Sequence, residues 1–344
     1  VPISGPLMRD TAQAHTRAPT FLTFTRDELE IQRAAADFMR RVLPLQRLHS
    51  PGSADLPAEI RSQMGALDWF SLSLPQSSGG TGLSPVEHAL FFRESGRECG
   101  PIDILTQSLA VLISTDAEDL RASFSSGAEA VMLAVRDSQG FRLLGAPDAR
   151  FALTIDRNGA ALFDISRAQI TRRPPLDAAT AMGVTAALPD PTVVTTSGAA
   201  TWNMAQLGAA AMLVGIAERA ISMIVEYAKV RETFGRKIGA YQAVRHPCAD
   251  MELRAEAARS QLWYAAASLK EHRADATAQL DAAKHVANEA AVTNADVNIQ
   301  LHGGIGVTDE HHAHLLLKRA LLLSRMFGCK RTLLARLLHA TLAE

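Results

Sequence analysis

From Ala200 to its end the chain is helical in pattern and rich in alanine, interrupted only by short breaks. Trp202 to Val230, Gly239 to about Glu271, Ala276 to about Leu301 and Thr308 to about Leu342 are the four long segments. Long helices with short connections fold as an up-down bundle, and alanine-rich faces let the helices pack closely. Two of the breaks carry more than turn residues. The first is Arg231-Glu232-Thr233-Phe234-Gly235, with Gln242 following it. The second is Gln300-Leu301-His302-Gly303-Gly304-Ile305-Gly306. An arginine, a hydroxyl and bare glycine backbone suit the holding of a phosphate or pyrophosphate. Each break also has a plainer reading. Gly235 can end a helix, with Phe234 packed and Arg231 near the negative end of the dipole. The second break can be a simple turn, with Thr308 capping the next helix. That turn needs its glycines but has no use for Gln300.

Upstream the pattern changes twice. Thr25-Arg26-Asp27-Glu28 reads as a helix start that runs to Pro44, with a loop from Ser50 to Asp55. Further helices are expected from Pro57 to about Leu67, from Ser84-Pro85 to about Arg97, and over 102–114. Pro75 to Ser84 is glycine-rich, but its spacing is not that of a P-loop, so a tight turn between helices is expected. Between 128 and 198 no helical period persists. Ala130–Arg136 and Phe141–Leu144 flank a turn at Asp137–Gly140, and Phe151–Asp156 and Ala160–Asp164 flank Arg157-Asn158-Gly159; both are hairpin signals. Pro189 to Thr196 is a last strand candidate, and Arg172-Arg173-Pro174-Pro175 reads as a solvated loop. The fold class expected is mainly α with a small β domain: helical over 25–127, β over 128–198 and a four-helix bundle over 199–344.

Composition narrows the function. The formal net charge of -1 gives no electrostatic case for nucleic acid. No uninterrupted apolar run is long enough for a membrane span. Cys99, Cys248 and Cys329 lack a C-x-x-C spacing, which points to free thiols in a reducing, cytoplasmic compartment. Val1 to about Leu7 are read as foreign to the natural chain, with Met8 a candidate start, and residues 9–24 carry no pattern. His311 and His314 beside Asp309 and Glu310 invite a metal reading, but acids are favoured in a first helical turn by the dipole alone, and no metal is assigned. No Gly-x-Ser-x-Gly marks a hydrolase.

Ala217-Glu218-Arg219-Ala220, the run Tyr227 to Gly239 and the run Gln300 to Thr308, together with the loop Pro75 to Ser84, resemble the acyl-CoA dehydrogenase family. The resemblance implies a helical, β and four-helix-bundle domain order. It implies that Arg231, Thr233, Phe234, Gln242, Gln300, Gly303 and Gly304 bind the adenosine and pyrophosphate of FAD, largely across a subunit interface. The implied reaction removes a proton alpha to an acyl-CoA thioester while hydride leaves the beta carbon for the flavin, with an electron-transfer partner as acceptor. A carboxylate in a dry pocket must take that proton. Here the chain departs from the family. Phe327, in Met326-Phe327-Gly328-Cys329, stands where the usual glutamate would be, and the alternative place falls on Ala205, beside Met204 and Gln206. The middle domain also lacks the Thr-Glu-Pro-x-x-Gly-Ser-Asp segment. This combination is most similar to the short subunits of α2β2 heteromeric acyl-CoA dehydrogenases of actinobacterial sterol side-chain breakdown, in which one chain carries the base.

Three functions stay open from sequence. One is a FAD-dependent subunit that desaturates acyl-CoA with a partner's base. Another is a self-sufficient homo-oligomer with a displaced base, for which Glu310 is the nearest candidate. The third is a non-catalytic scaffold or regulator.

Overall fold

The structure is a computed structural model that describes residues 23–49, 56–177, 180–195 and 198–340. The candidate start at Met8, the unpatterned stretch over 9–22 and the loop from Ser50 to Asp55 lie outside the described residues.

Helix α1 (Arg26–Val42) starts with a capping box, Thr25 Oγ1 accepting from Glu28 N–H and the Glu28 carboxylate accepting from Thr25 N–H. Helix α2 (Ala58–Ala66) follows. Helix α3 (Pro85–Arg97) opens on a second capping box at Ser84 and Glu87. Helices α4 (Ile102–Ile113) and α5 (Glu118–Ser125) complete this half. The pattern did not announce α5: it is short, its N-cap Ala117 makes no side-chain bond, and only Phe124 is buried.

The sheet has the order β5-β6-β2-β1-β3-β4-β7, built from β1 (Val131–Asp137), β2 (Gly140–Leu144), β3 (Phe151–Ile155), β4 (Ala160–Asp164), β5 (Thr171–Arg173), β6 (Met182–Thr185) and β7 (Pro191–Thr195). Both expected hairpins form, and β1 pairs with β3 in parallel. Arg172 and Arg173 belong to strand β5 rather than to a loop. All three residues of β5 are exposed at the edge of the sheet, so no alternation marked it.

The bundle begins with α6 (Gly198–Val230). A small hairpin follows, β8 (Glu232–Thr233) and β9 (Arg236–Lys237), and then α7 (Gln242–Lys270) and α8 (Ala276–His302). The fourth segment is not one helix. It starts at Ala313 rather than Thr308 and splits into α9 (Ala313–Leu323) and α10 (Lys330–Leu338). The split is a backbone event: Phe327 and Gly328 sit at φ 52° and 125°, where no helix continues. The buried Lys284 of α8 secures it. Its ammonium donates to Leu323 O at 3.1 Å, Gly328 O at 3.3 Å and Asn288 Oδ1 at 2.7 Å. Burial holds this amine down to about 7.

Helix α6 is long and apolar enough to cross a membrane, yet 78% of its most apolar stretch is buried inside the protein. It packs on α3 with almost no gap. A Cβ on Gly96 would meet Met212 O at 2.0 Å, and one on Gly215 would meet Arg93 O at 2.1 Å. Polar ties fix the neighbours. Glu218 of α6 accepts from Arg93 and Arg97 of α3 at 2.8 Å and from Arg259 of α7 at 3.0 Å. Asn294 of α8 donates to Ala217 O and Met251 O.

One buried arginine joins the parts. Arg319 of α9 donates to Asp177 Oδ2 at 2.8 Å, to Thr180 Oγ1 at 2.6 Å and to Gly100 O, linking the bundle to the β5–β6 connection and the α3–α4 turn. Arg319→Met is expected to lower stability by about 3–5 kcal/mol, because it strips the buried Asp177 of its guanidinium. Urea unfolding followed by circular dichroism checks this; a loss below about 1 kcal/mol would deny the clamp its role.

Candidate functional site

The two breaks singled out in the sequence lie at one end of the bundle. The Tyr227 ring in the last turns of α6 packs on His302, the last residue of α8, with centroids 4.5 Å apart. Arg231 N–H donates to Tyr227 O, and Ile238 N–H donates back to Arg231 O, so Arg231 is fixed at the root of the β8–β9 hairpin. Phe234 and Gly235 form its tip at φ 51° and 79°, the left-handed pair that a two-residue hairpin turn demands. The plain reading of this break therefore fails: α6 ends at Val230, before Gly235, and Phe234 packs on nothing, being 97% exposed. Tyr241 OH donates to Thr233 O at 2.9 Å, and Arg236 stacks on the Tyr241 ring. Gln242 is the first residue of α7 and is exposed, as is Arg231.

At the second break Gly303 has φ 68°, and neither Gly303 nor Gly304 has any atom within 4 Å of where a Cβ would stand. Their backbone is exposed, and so is Gln300. Thr308 does not cap the following helix; its hydroxyl donates to Ile305 O within the 3-10 turn Gly303–Val307. Asp309 and Glu310 lie in an exposed turn ahead of α9, not in a first helical turn. Open glycine backbone and, at the same end of the bundle, an exposed guanidinium with no side-chain bond among the described residues suit an anion such as a pyrophosphate.

Phe327 and Ala205, where an acid was sought, belong to the other end of α6. Trp202, one turn before the buried Ala205, meets Phe327 edge to face with centroids 5.8 Å apart. Both rings line a cleft of about 710 Å³ between the sheet and the bundle. Strands β1 to β4 and β6 form its other wall. Of the carboxylates, only Asp156 lines it among the described residues, and its Oδ1 accepts from Asn158 and Gly159 N–H at 2.7 and 2.9 Å. Below it Asp281 is gripped by Arg336 and by Gln206, which in turn accepts from Trp202 Nε1. Arg136 and Arg325 also line the cleft, and the sequence pattern marks neither as a site residue. Arg136 was legible as the cation that ends an apolar run; Arg325 carried no signal.

Trp202 and Tyr227 lie about 37 Å apart along α6 at 1.5 Å per residue. His311 is beside Tyr227, with centroids 6.4 Å apart, so the neighbouring Glu310 belongs to the turn end. Glu310, the candidate displaced base, is exposed and lies nearly a helix length from the cleft of its own chain.

Histidines cluster beneath the second break. His302 contacts His311 at 4.4 Å between centroids, and His312 contacts His49 at 4.5 Å. His302 Nδ1 meets Asn298 O at 2.7 Å. His302 Nε2, His312 Nε2 and both ring nitrogens of His314 are buried without hydrogen-bond partners among the described residues. Among the described residues no group of three or more His, Cys, Asp or Glu is placed to hold a metal ion. Burial lowers the pKa of His302, His311, His312 and His314, that of His312 from 6.5 to about 4. The unfolded chain therefore binds more protons than the folded one between these values, and stability must fall as pH falls through that window. The melting temperature is expected to drop between pH 6.5 and 5, and His312→Gln to flatten the drop. A profile that the substitution leaves unaltered would show that the cluster does not titrate this way.

Comparison with known proteins agrees with this architecture. Residues 199–341 match the acyl-CoA dehydrogenase C-terminal domain, and residues 25–117 match the acyl-CoA dehydrogenase N-terminal domain. The chain is 33% identical over 291 residues to acyl-CoA dehydrogenase FadE34 of Mycobacterium tuberculosis, a match that takes in 78% of this chain and 40% of FadE34. It is 32% identical over 297 residues to acyl-CoA dehydrogenase IpdE2 of the same organism, 80% of this chain and 83% of IpdE2. Two solved structures share the fold. One is the Tcur3481-Tcur3483 steroid ACAD G363A variant, with TM-score 0.77, 24% identity, and 91% and 97% of the two chains covered. The other is the ChsE4-ChsE5 complex from Mycobacterium tuberculosis, with TM-score 0.76, 22% identity, and 94% and 100% covered. With helical regions on both sides of the sheet matched and IpdE2 paralleled over most of its length, the chain belongs to the acyl-CoA dehydrogenase family.

Proposed function

We propose that this chain is one subunit of a FAD-dependent acyl-CoA dehydrogenase, and that a related partner chain supplies the carboxylate that removes the alpha proton. The separation of the two sites carries this reading. The anion-suited turns and the cleft stand at opposite ends of α6, about 37 Å apart, which is farther than a flavin dinucleotide reaches. A flavin held at these turns would thus present its ring to a neighbouring chain. The aromatic pair Trp202 and Phe327 in this chain's own cleft supports the same division, since neither ring can accept the proton. Two structures of the same fold are named as two-component assemblies, which agrees with a related partner.

FAD, when bound, supplies the acceptor for the hydride that leaves the beta carbon of the acyl-CoA. The residues of this chain act on its far arm. Arg231 contributes a fixed positive charge for the pyrophosphate. Gly303 and Gly304 let the backbone approach without a side chain in the way, and Thr233, Gln242 and Gln300 offer hydrogen-bonding groups. Phe234 projects from the hairpin tip as an apolar cover for the adenosine or for the neighbouring chain. An electron-transfer acceptor would then reoxidise the flavin.

Arg231→Ala removes a charge-assisted bond worth roughly 1.5–3 kcal/mol, so flavin occupancy of the assembled enzyme should fall at least several-fold. Unchanged occupancy would refute the clamp. The second expectation concerns the base. Glu310→Gln should change turnover little, whereas glutamine in place of the partner's glutamate should cost roughly 10²- to 10⁴-fold. A chain fully active alone, and silenced by Glu310→Gln, would overturn the partner reading.

A further inference from the structure

The two anion-suited breaks are joined through rings. His302 closes α8 immediately before Gly303, and its ring contacts both Tyr227 of α6 and His311, with centroids 4.5 and 4.4 Å apart. The glycine turn folds back over it, since a Cβ on Gly306 would meet His302 Cβ at 3.0 Å. Hydrogen bonds tell the two histidines apart. Asn298 O can only accept, so His302 Nδ1, 2.7 Å away, carries a proton. In the neutral ring Nε2 is then bare, and it is buried with no partner among the described residues. His311 is the reverse case: its Nδ1 accepts from Ala313 N–H at 3.2 Å, a bond that protonation would break. His302 can therefore gain a proton without losing a bond, and His311 cannot. The charged and titratable groups around the pair are mostly basic: Arg219 of α6, Lys318 and His314 of α9, His49, and His312 in the turn. Among the described residues Asp309 is the carboxylate that reaches this cluster, meeting His314 at 3.9 Å, and both it and Glu310 are exposed. Burial, aided by His311, outweighs the Asn298 bond and holds His302 below its ordinary value. The cluster lacks a negative charge, and the open backbone of Gly303 and Gly304 is the place for one.

We propose that His302 makes anion binding at this turn proton-linked: with a pyrophosphate at Gly303 and Gly304, His302 takes a proton from solvent at Nε2 and becomes the counter-charge beneath the turn. One N–H bond forms and one positive charge appears, while the Nδ1 bond to Asn298 O is kept. The proposal rests on the proposed function, which puts the pyrophosphate arm of FAD at these turns. A negative charge at the turn favours the protonated ring and so raises the lowered pKa of His302. Between the two values the complex binds more protons than the free chain. Affinity must then rise as pH falls through that window and stay level above it.

The test uses the full chain and ADP-ribose, which carries the adenosine and pyrophosphate of FAD and has no group that titrates near neutral pH. Binding is measured by titration calorimetry at pH 8 and pH 6.5, each in two buffers of different ionisation enthalpy, so that protons taken up are read directly. Net uptake at pH 6.5 is expected, with affinity at least about three-fold tighter than at pH 8. His302→Phe keeps a ring against Tyr227 but cannot titrate, so uptake should vanish and affinity should be equal at the two pH values. If circular dichroism shows that this variant does not fold, His302→Gln takes its place with the same expectation. Binding by the parent chain without proton uptake, or uptake that persists in the variant, would overturn the proposal and leave the pyrophosphate clamp standing. No binding at either pH, or binding that Arg231→Ala leaves unaltered, would instead remove the clamp and this inference with it.

Discussion

Helix α6 runs for 33 residues with most of its side chains covered, and at 1.5 Å per residue it extends about 50 Å. Everything chemical in the chain is placed by that length. The sheet and the cleft meet its first turns, and the two anion-suited breaks gather around its last. Because α6 is straight-through and buried, these two places cannot be brought together by a local rearrangement. The distance between them is a geometric consequence of one uninterrupted helix, and it would hold whatever residues stood at either end.

A helix so deeply buried leaves few ways to fix its neighbours in register, and the chain does this with charge. Glu218 binds three arginines from α3 and α7, Arg319 crosses from α9 to Asp177, and Lys284 donates all three of its protons to neutral acceptors. Such buried groups are poor sources of net stability, because desolvation offsets most of what they gain. Their value lies in direction. An alanine face slides or rotates at little cost, whereas a guanidinium fork accepts only one arrangement of its carboxylate.

Much of this was legible in the sequence because it is local. Thr25 and Ser84, each followed three residues later by glutamate, mark helix starts that form as capping boxes, and Asn158-Gly159 marks a hairpin that forms. The breaks at Arg231 and Gly303 stood out against alanine-rich helix. What escaped has causes distant in the chain. Strand β5 has no buried face and so no pattern. The division of the last helix is held by Lys284, on another helix, and by the left-handed backbone of Phe327, a residue type that gives no warning of it. The cleft draws its lining from strands, from the start of α6 and from the turn before α10, and no window of sequence contains it. Phe234 shows the opposite error: an apolar residue next to a glycine suggested packing, and only the hairpin explains why its ring stands in solvent.

At the crossing of α3 and α6, Gly96 and Gly215 already have the smallest possible side, and each faces backbone of the other helix. Such a contact has no slack. A single methyl on either glycine would push the helices apart along their whole length, and nothing smaller is available to bring them closer. The helical frame is therefore closed to substitution at this crossing. Change in what a chain of this kind accommodates has to enter elsewhere, through strands whose side chains face open space and through the turn that carries Phe327. Those parts can be redrawn residue by residue while the crossing stays as it is, so one frame can serve as the starting point for many differently shaped clefts.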